Sequence, residues 1–190
     1  MSAPSPRLRT APLFLRLLEA MILRRDLYER VAADPEAWRP AAAVVCVSSL
    51  AYGALMGSPM LLALAHEIGN WILPLVLFFD LLRWWIAAGA AHVMSLALAR
   101  DRADFGRLLR CLGFAQAPKA LALLALVADE SIAEWLPRVI GVWLIVATVA
   151  AVRYALGVGM GRAAAIGILG FCVESLVLPL VGGIVLFVTS

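Results

Sequence analysis

Cysteine, histidine and lysine are nearly absent from this 190-residue chain, which has three cysteines, two histidines and one lysine, Lys119. Cys46, Cys111 and Cys172 lie inside apolar runs with no CxxC spacing, so they read as small packed hydrophobes rather than a disulfide framework or a metal site. His66 and Glu67 are neighbouring ligand types without further histidines, which does not make a metal site. No Ser-His-Asp or Cys-His spacing suggests hydrolysis, and no pair of carboxylates stands without a cation nearby. An enzyme is therefore not expected, nor a cofactor. Charge is scarce too: 15% of residues are charged against 64% hydrophobic. That balance excludes an ordinary soluble globular domain. No basic surface interleaved with aromatics argues for nucleic acid. The first twelve residues carry charge but no compact apolar core before a cleavage site, so no cleavable signal peptide is expected.

What is present is a series of apolar runs of roughly 20 residues each, the length that crosses a bilayer as an α-helix. They are continuously apolar and lack the period of two that a transmembrane barrel requires. The expected fold is all-α: a polytopic bundle of five membrane helices, residues 40–188, preceded by a cytoplasmic segment, residues 1–39. The spans are placed at about 40–57, 70–99, 105–128, 135–157 and 162–188, with a short interfacial helix through Glu67 after the first. Charge in the connections tests this count. Seven arginines precede the first span, and none follows it directly. Arg100, Arg102, Arg107 and Arg110 fall in the next connection. Asp129, Glu130 and Glu134 face a single Arg138 in the one after, and Arg153 and Arg162 flank the fourth. The alternation of basic-rich and basic-poor connections puts the N-terminus in the cytoplasm and the C-terminus on the far side. The fifteen arginines, with abundant alanine and leucine, suggest a bacterial genome of high GC content and hence the inner membrane.

The segment "PLFLRLLEAMILRRDLYERVAADP" places Leu13, Phe14, Leu17, Leu18 and Met21 on one helical face, with Arg16, Glu19, Asp26 and Arg30 mostly on the other. It holds too many charges to span, so it reads as an amphipathic helix at the cytoplasmic interface. Alternatively it is a soluble helix packed on the inner face of the bundle. Arg16, Arg24, Arg25 and Arg30 would meet anionic lipid headgroups or a protein partner. Asp34-Pro35 marks its end, and Trp38 stands where an interfacial anchor is expected.

Asp80, Arg83, Lys119 and Glu174 fall inside spans, where each charge costs about 2.5–3.5 kcal/mol on insertion scales. Matching depths invite the pairs Asp80–Lys119 and Arg83–Glu174, while Asp80 and Arg83 also share a face at i, i+3. Two readings stand: a salt-bridge clasp between the second, third and fifth spans, or a polar site for protons or small ions. Ala87, Ala91 and Ser95 continue the Asp80 face as a small-residue stripe that packs closely or lines a narrow cavity. His92, one turn from Ser95, would titrate near neutral pH if wet. Pro118, beside Lys119, and Pro179, five residues after Glu174, each bend a helix. "GVGMGR", 157–162, has no strand before it and reads as a tight cytoplasmic turn.

Three stretches together resemble the Yip domain family, named for eukaryotic members that interact with Rab-type GTPases. They are "RRDLYERVAADPEAW", 24–38; "DFGRLLRCLGFAQAP", 104–118; and "WLIVATVAAVRYALGVGMGRA", 143–163. In the second, Gly113-Phe114-x3-Pro118 resembles the family's Gly-[Tyr/Phe]-x3-Pro, with Phe105 as the preceding aromatic. The family's glycine pair before that aromatic is here Arg100-Asp101. No Gly-Pro follows Asp26-Leu27-Tyr28, so the eukaryotic GTPase-linked motif does not carry over. The resemblance implies five spans, a cytoplasmic N-terminus and a role in membrane organisation through partner binding.

Two functions are therefore expected. The first is a non-enzymatic scaffold contacting membrane lipids and a protein partner at the cytoplasmic face, whose residues 1–33 could be deleted with the bundle surviving. The second is a small transporter or channel for protons, ions or small solutes. Small-residue stripes also suit a homo-oligomer.

Overall fold

A computed structural model describes residues 12–56, 66, 69–98, 104–126 and 129–189. Among them are seven α-helices and no strand. They are α1 (Leu13–Met21), α2 (Arg25–Ala33), α3 (Trp38–Met56), α4 (Ile72–Leu98), α5 (Phe105–Phe114), α6 (Glu130–Leu156) and α7 (Met160–Thr189). Three 3-10 turns of helix join them, at Pro35–Ala37, Gly69–Trp71 and Ala117–Leu126. The side chains of Glu174 and of residues 177–189 lie outside the described part, as does nearly all of the interfacial helix expected before Glu67.

The N-terminal segment is a helical hairpin, not the single helix its periodicity suggests. α1 ends where Leu23 takes the left-handed conformation, with φ of 55°. Leu23 N–H donates to Ala20 O at 3.1 Å and Arg24 N–H to Glu19 O at 3.0 Å, a Schellman closure built without glycine. Glu19 then holds the two helices together, accepting from Arg24 at 3.2 Å and Arg30 at 3.0 Å. α2 stops at Asp34-Pro35 as expected, and Asp34 Oδ1 accepts the Glu36 N–H at 3.0 Å.

The stretch expected as the third span is also broken. Asp104 caps α5 by accepting the Gly106 N–H at 2.9 Å, and the helix runs only to Phe114. The Pro118 ring would collide with the Phe114 carbonyl, four residues back, and offers it no N–H. The chain turns at Ala115-Gln116 and continues as a ten-residue 3-10 helix, Ala117–Leu126. Such a length is unusual, since 3-10 runs beyond three or four residues are uncommon. Arg110, expected in a connection, lies within α5. The next helix, α6, closes in the usual way: Gly157 takes φ of 65° and its N–H donates to Arg153 O at 2.9 Å.

α4, α5, α6 and α7 form a ring, with α7 packed on both α4 and α6 and α5 bridging α4 to α6. α3 lies outside it against α4, α5 and the long 3-10 helix, and α2 lies on α5 and α6. The interior holds Leu27, Tyr28, Val31, Val44, Trp84, Leu108, Phe114, Val152 and Ile166. The exterior is apolar as well: Phe78, Trp85 and Val93 on α4, Val139, Val142 and Val146 on α6, and Ile168 and Leu169 on α7 are exposed. A bundle apolar on both sides suits a lipid solvent, where helices satisfy their own backbone. Among the described residues two helices are long and apolar enough to cross a bilayer, Leu73–Leu98 and Glu134–Leu156, and Met160–Val173 is a shorter apolar helix.

Candidate functional site

Two constructions carry polar chemistry, and both are organised by α5. The first clamps the hairpin to the bundle. Arg110, 8% exposed, sends Nε to Val31 O at 3.1 Å and a terminal nitrogen to Ala32 O at 2.8 Å. These carbonyls end α2, where a helix leaves acceptors unfilled and presents the negative end of its dipole. A fixed guanidinium fork suits two adjacent acceptors. Beside it, Cys111 Sγ lies 3.7 Å from Tyr28 O. On α6, Trp143 Nε1 donates to Met21 O at 2.8 Å, at the end of α1. The bundle thus supplies donors and the hairpin supplies backbone acceptors.

Apolar contact completes this dock. Leu27, Tyr28 and Val31 are fully buried, and the Tyr28 ring stacks on Tyr154 with centroids 5.8 Å apart. Burial pushes the Tyr28 hydroxyl well above the ordinary tyrosine range, reinforced by Cys111 and Tyr154. Each buried side chain of this size contributes about 1.5–3 kcal/mol. Deleting residues 1–33 would strip cover from α5 and α6 and remove the carbonyl partners of Arg110. Against the expectation that the bundle survives that deletion unharmed, these contacts predict that it loses stability.

The second construction is a cleft at the centre of the four-helix ring, with a cavity volume of about 30 Å³. That is space for about two water molecules. Its polar lining among the described residues is Arg83, Gln116, Lys119 and Thr148, and the stripe residues Ala87 and Ala91 form an apolar wall. Lys119 Nζ stands 3.7 Å from Asp80 Oδ1, with the two side chains 10% and 18% exposed. Asp80 and Lys119 meet as their matched depths suggest. Whether Arg83 meets Glu174 falls outside the described side chains. His92 does not join the cleft. Its ring stands edge-on to Phe105 at 6.0 Å, and its carbonyl accepts the Ser95 hydroxyl at 2.6 Å.

The motif residues join these constructions. Phe105 packs against Trp85 at 5.7 Å as well as His92. Trp84 Nε1 donates to Leu109 O at 2.8 Å, fixing its indole across α5. A Cβ on Gly113 would stand 2.8 Å from Ala41 Cβ and 3.0 Å from Trp84 Cζ2, so only glycine lets α3, α4 and α5 meet there. Phe114 and Pro118 are fully buried.

The four arginines expected at the lipid or partner surface divide. Arg24 and Arg25 are exposed, Arg24 beside Glu19 and Arg25 bonded to Glu29 at 2.6 Å, which raises the Arg25 guanidinium above its usual value. Arg30 is drawn into the hairpin by Glu19 and by Asp26 O at 2.9 Å, and Arg16 is half-buried with its Nε enclosed. Arg110, Trp143, Gln116 and Thr148 were not legible as site residues. Arg110 alone had a signal, a charge inside the apolar run "LLRCLGF" that needs a buried partner.

No curated protein and no solved structure matches the chain significantly. The family model described as the Yip1 domain matches residues 18–184, which takes in the end of α1, all of α2 to α6, the Gly113–Pro118 motif and most of α7. On that match the chain belongs to the Yip1 domain family of membrane proteins.

Proposed function

We propose that the protein is a non-enzymatic five-span membrane scaffold, N-terminus cytoplasmic and C-terminus opposite, that presents the docked α1–α2 hairpin to a protein partner. The observation that carries this reading is the clamp: Arg110 and Trp143 hold the ends of α2 and α1 through backbone acceptors. That leaves the outward face of α2, with Arg25, Asp26, Glu29 and Ala33 exposed, free of structural duty. A surface fixed in this way can bind without an ordering cost. The direct test places a photo-crosslinking residue at Asp26 or Ala33 in cells. A discrete crosslinked protein, lost in the Arg25→Glu/Glu29→Arg variant but not in a variant of exposed Leu124, supports the reading. Absence of any crosslink from the α2 face contradicts it.

The central cleft favours a second reading, a small transporter or channel for protons or small ions, because charged side chains and a cavity with room for water meet inside a bundle whose third span is broken. Asp80, Arg83 and Lys119 would be its polar groups. Flux in liposomes separates the two readings.

A further inference from the structure

We infer that α1 is a wedge embedded in the acyl layer of one leaflet, its outer stripe and closing turn among lipid chains, with α2 beyond it rising to the headgroups of an anionic membrane. The inference rests on the spanning orientation proposed for α6. Two independent observations lead to it.

The first is the surface. Leu17 and Ala20 of α1 are buried against the bundle, while Phe14 (67%), Leu15 (49%), Leu18 (41%) and Ile22 (67%) are exposed. Phe14, Leu18 and Ile22 recur every four residues and form one stripe. Trp143 ties the end of α1 to the flank of α6, where Val139, Val142, Ile145 and Val146 are exposed too. The stripe is thus a lateral continuation of the lipid-facing surface of a helix apolar enough to span. Trp143 is the central residue of the 27-residue α6, roughly 20 Å from either end. With a hydrocarbon core about 30 Å thick, it lies within the core whichever end of α6 protrudes.

The second observation is the backbone. The last carbonyls of a helix ordinarily turn to water, which an acyl layer does not supply. In α1 every one of the last four has a donor from the protein: Leu18 O from Ile22 N–H at 3.1 Å, Glu19 O from Arg24 N–H, Ala20 O from Leu23 N–H, and Met21 O from the Trp143 indole. Glu19 is neutralised by Arg24 and Arg30. This explains why Leu23 accepts a conformation glycine would take more readily: the turn satisfies the backbone while keeping an apolar side chain beneath it. Beyond the turn, Tyr28 stacks on Tyr154, two residues from the end of α6, so α2 rises to the headgroup level. The exposed, long-stemmed Arg24 and Arg25 can reach phosphate from there. A helix inserted on one side of the bundle expands the leaflet it enters and makes the protein sensitive to lipid packing.

The test uses the full chain in phosphatidylcholine–phosphatidylglycerol vesicles. These contain either a phosphatidylcholine with a diazirine midway along one acyl chain or a lipid with the diazirine on its headgroup. After irradiation, labelled peptides are located by mass spectrometry. The expected result is mid-chain labelling of residues 13–22 within threefold of that of residues 139–146, and no more than a third of it in the Phe14→Ser/Ile22→Ser variant, with labelling of α6 unchanged. Mid-chain labelling of α6 with only headgroup labelling of α1, or with α1 shielded by another copy or a partner, overturns the wedge and leaves the spanning reading standing. Mid-chain labelling of neither helix overturns both.

Discussion

Replacing Arg110 by methionine is the sharpest perturbation of the hairpin dock. Methionine fills similar apolar space, so the change isolates the two bonds to Val31 O and Ala32 O. Hydrogen bonds to a charged group contribute about 1.5–3 kcal/mol each in net terms, and a buried acceptor left empty costs about 1–3 kcal/mol. The loss of the guanidinium at a helix C-terminus adds up to about 2 kcal/mol, though these contributions overlap. Against them stands the desolvation that Arg110 no longer suffers. The net expectation is a destabilisation of about 2–4 kcal/mol for Arg110→Met and roughly half of that for Arg110→Lys, which can serve one carbonyl but not both. Thermal unfolding in detergent reads the total, and hydrogen exchange over residues 25–36 reads where it falls. Protection should drop across α2 while the cores of α4 and α7 keep theirs at temperatures well below the transition. A variant within 0.5 kcal/mol of the parent (about the scatter of neutral surface changes), with unchanged exchange in α2, would refute the claim that Arg110 holds the hairpin.

Two further outcomes follow from the same packing. Gly113→Ala would gain up to about 1 kcal/mol of helix propensity in an open site, but here its Cβ meets Ala41 and Trp84, so a net loss of about 1–3 kcal/mol in unfolding free energy is expected, with partial rescue by Ala41→Gly; a neutral or stabilising effect would contradict the close approach. Tyr28 has a raised pKa in the folded state, so its contribution is fully present below about pH 10, where the unfolded tyrosine begins to ionise, and is lost as pH rises further, by up to about 1.4 kcal/mol per pH unit; the parent's melting temperature should fall above that pH more steeply than that of Tyr28→Phe.

The all-helical character could be read from the long apolar runs, because membrane helices announce themselves by length and polarity. The ends of α3, α4 and α7 lie within a few residues of the expected boundaries, and Asp34-Pro35 and Gly157 act as stops for reasons local to each residue. The errors have a different origin. The α1–α2 turn depends on Leu23 adopting a left-handed conformation, which no residue-type preference announces. Pro118 signals a break, but its outcome, a long 3-10 helix, depends on how α3 and the ring surround it. Arg110 looked like one more basic residue of a cytoplasmic connection. Its role arises from α2 residues 78 and 79 positions earlier, a separation beyond any local pattern. Depth matching brought Asp80 and Lys119 together correctly because depth is a one-dimensional quantity, readable by counting residues. Which way His92 points around α4 is a matter of helix rotation, and counting does not supply it.

In the function proposed for this family member the hairpin is held rigidly for a partner and the Asp80–Lys119 pair acts as a clasp. The most direct measurement is proton and monovalent-ion flux in liposomes, for the parent and Asp80→Asn, together with the thermal stability of both. No flux above protein-free vesicles is expected for either, with a loss of about 1–3 kcal/mol for the variant, less than the roughly 3–5 kcal/mol of a tightly bonded buried pair because the Asp80–Lys119 contact is long, at 3.7 Å. Flux in the parent that disappears in an equally stable Asp80→Asn protein would contradict it and make the cleft a conduction path.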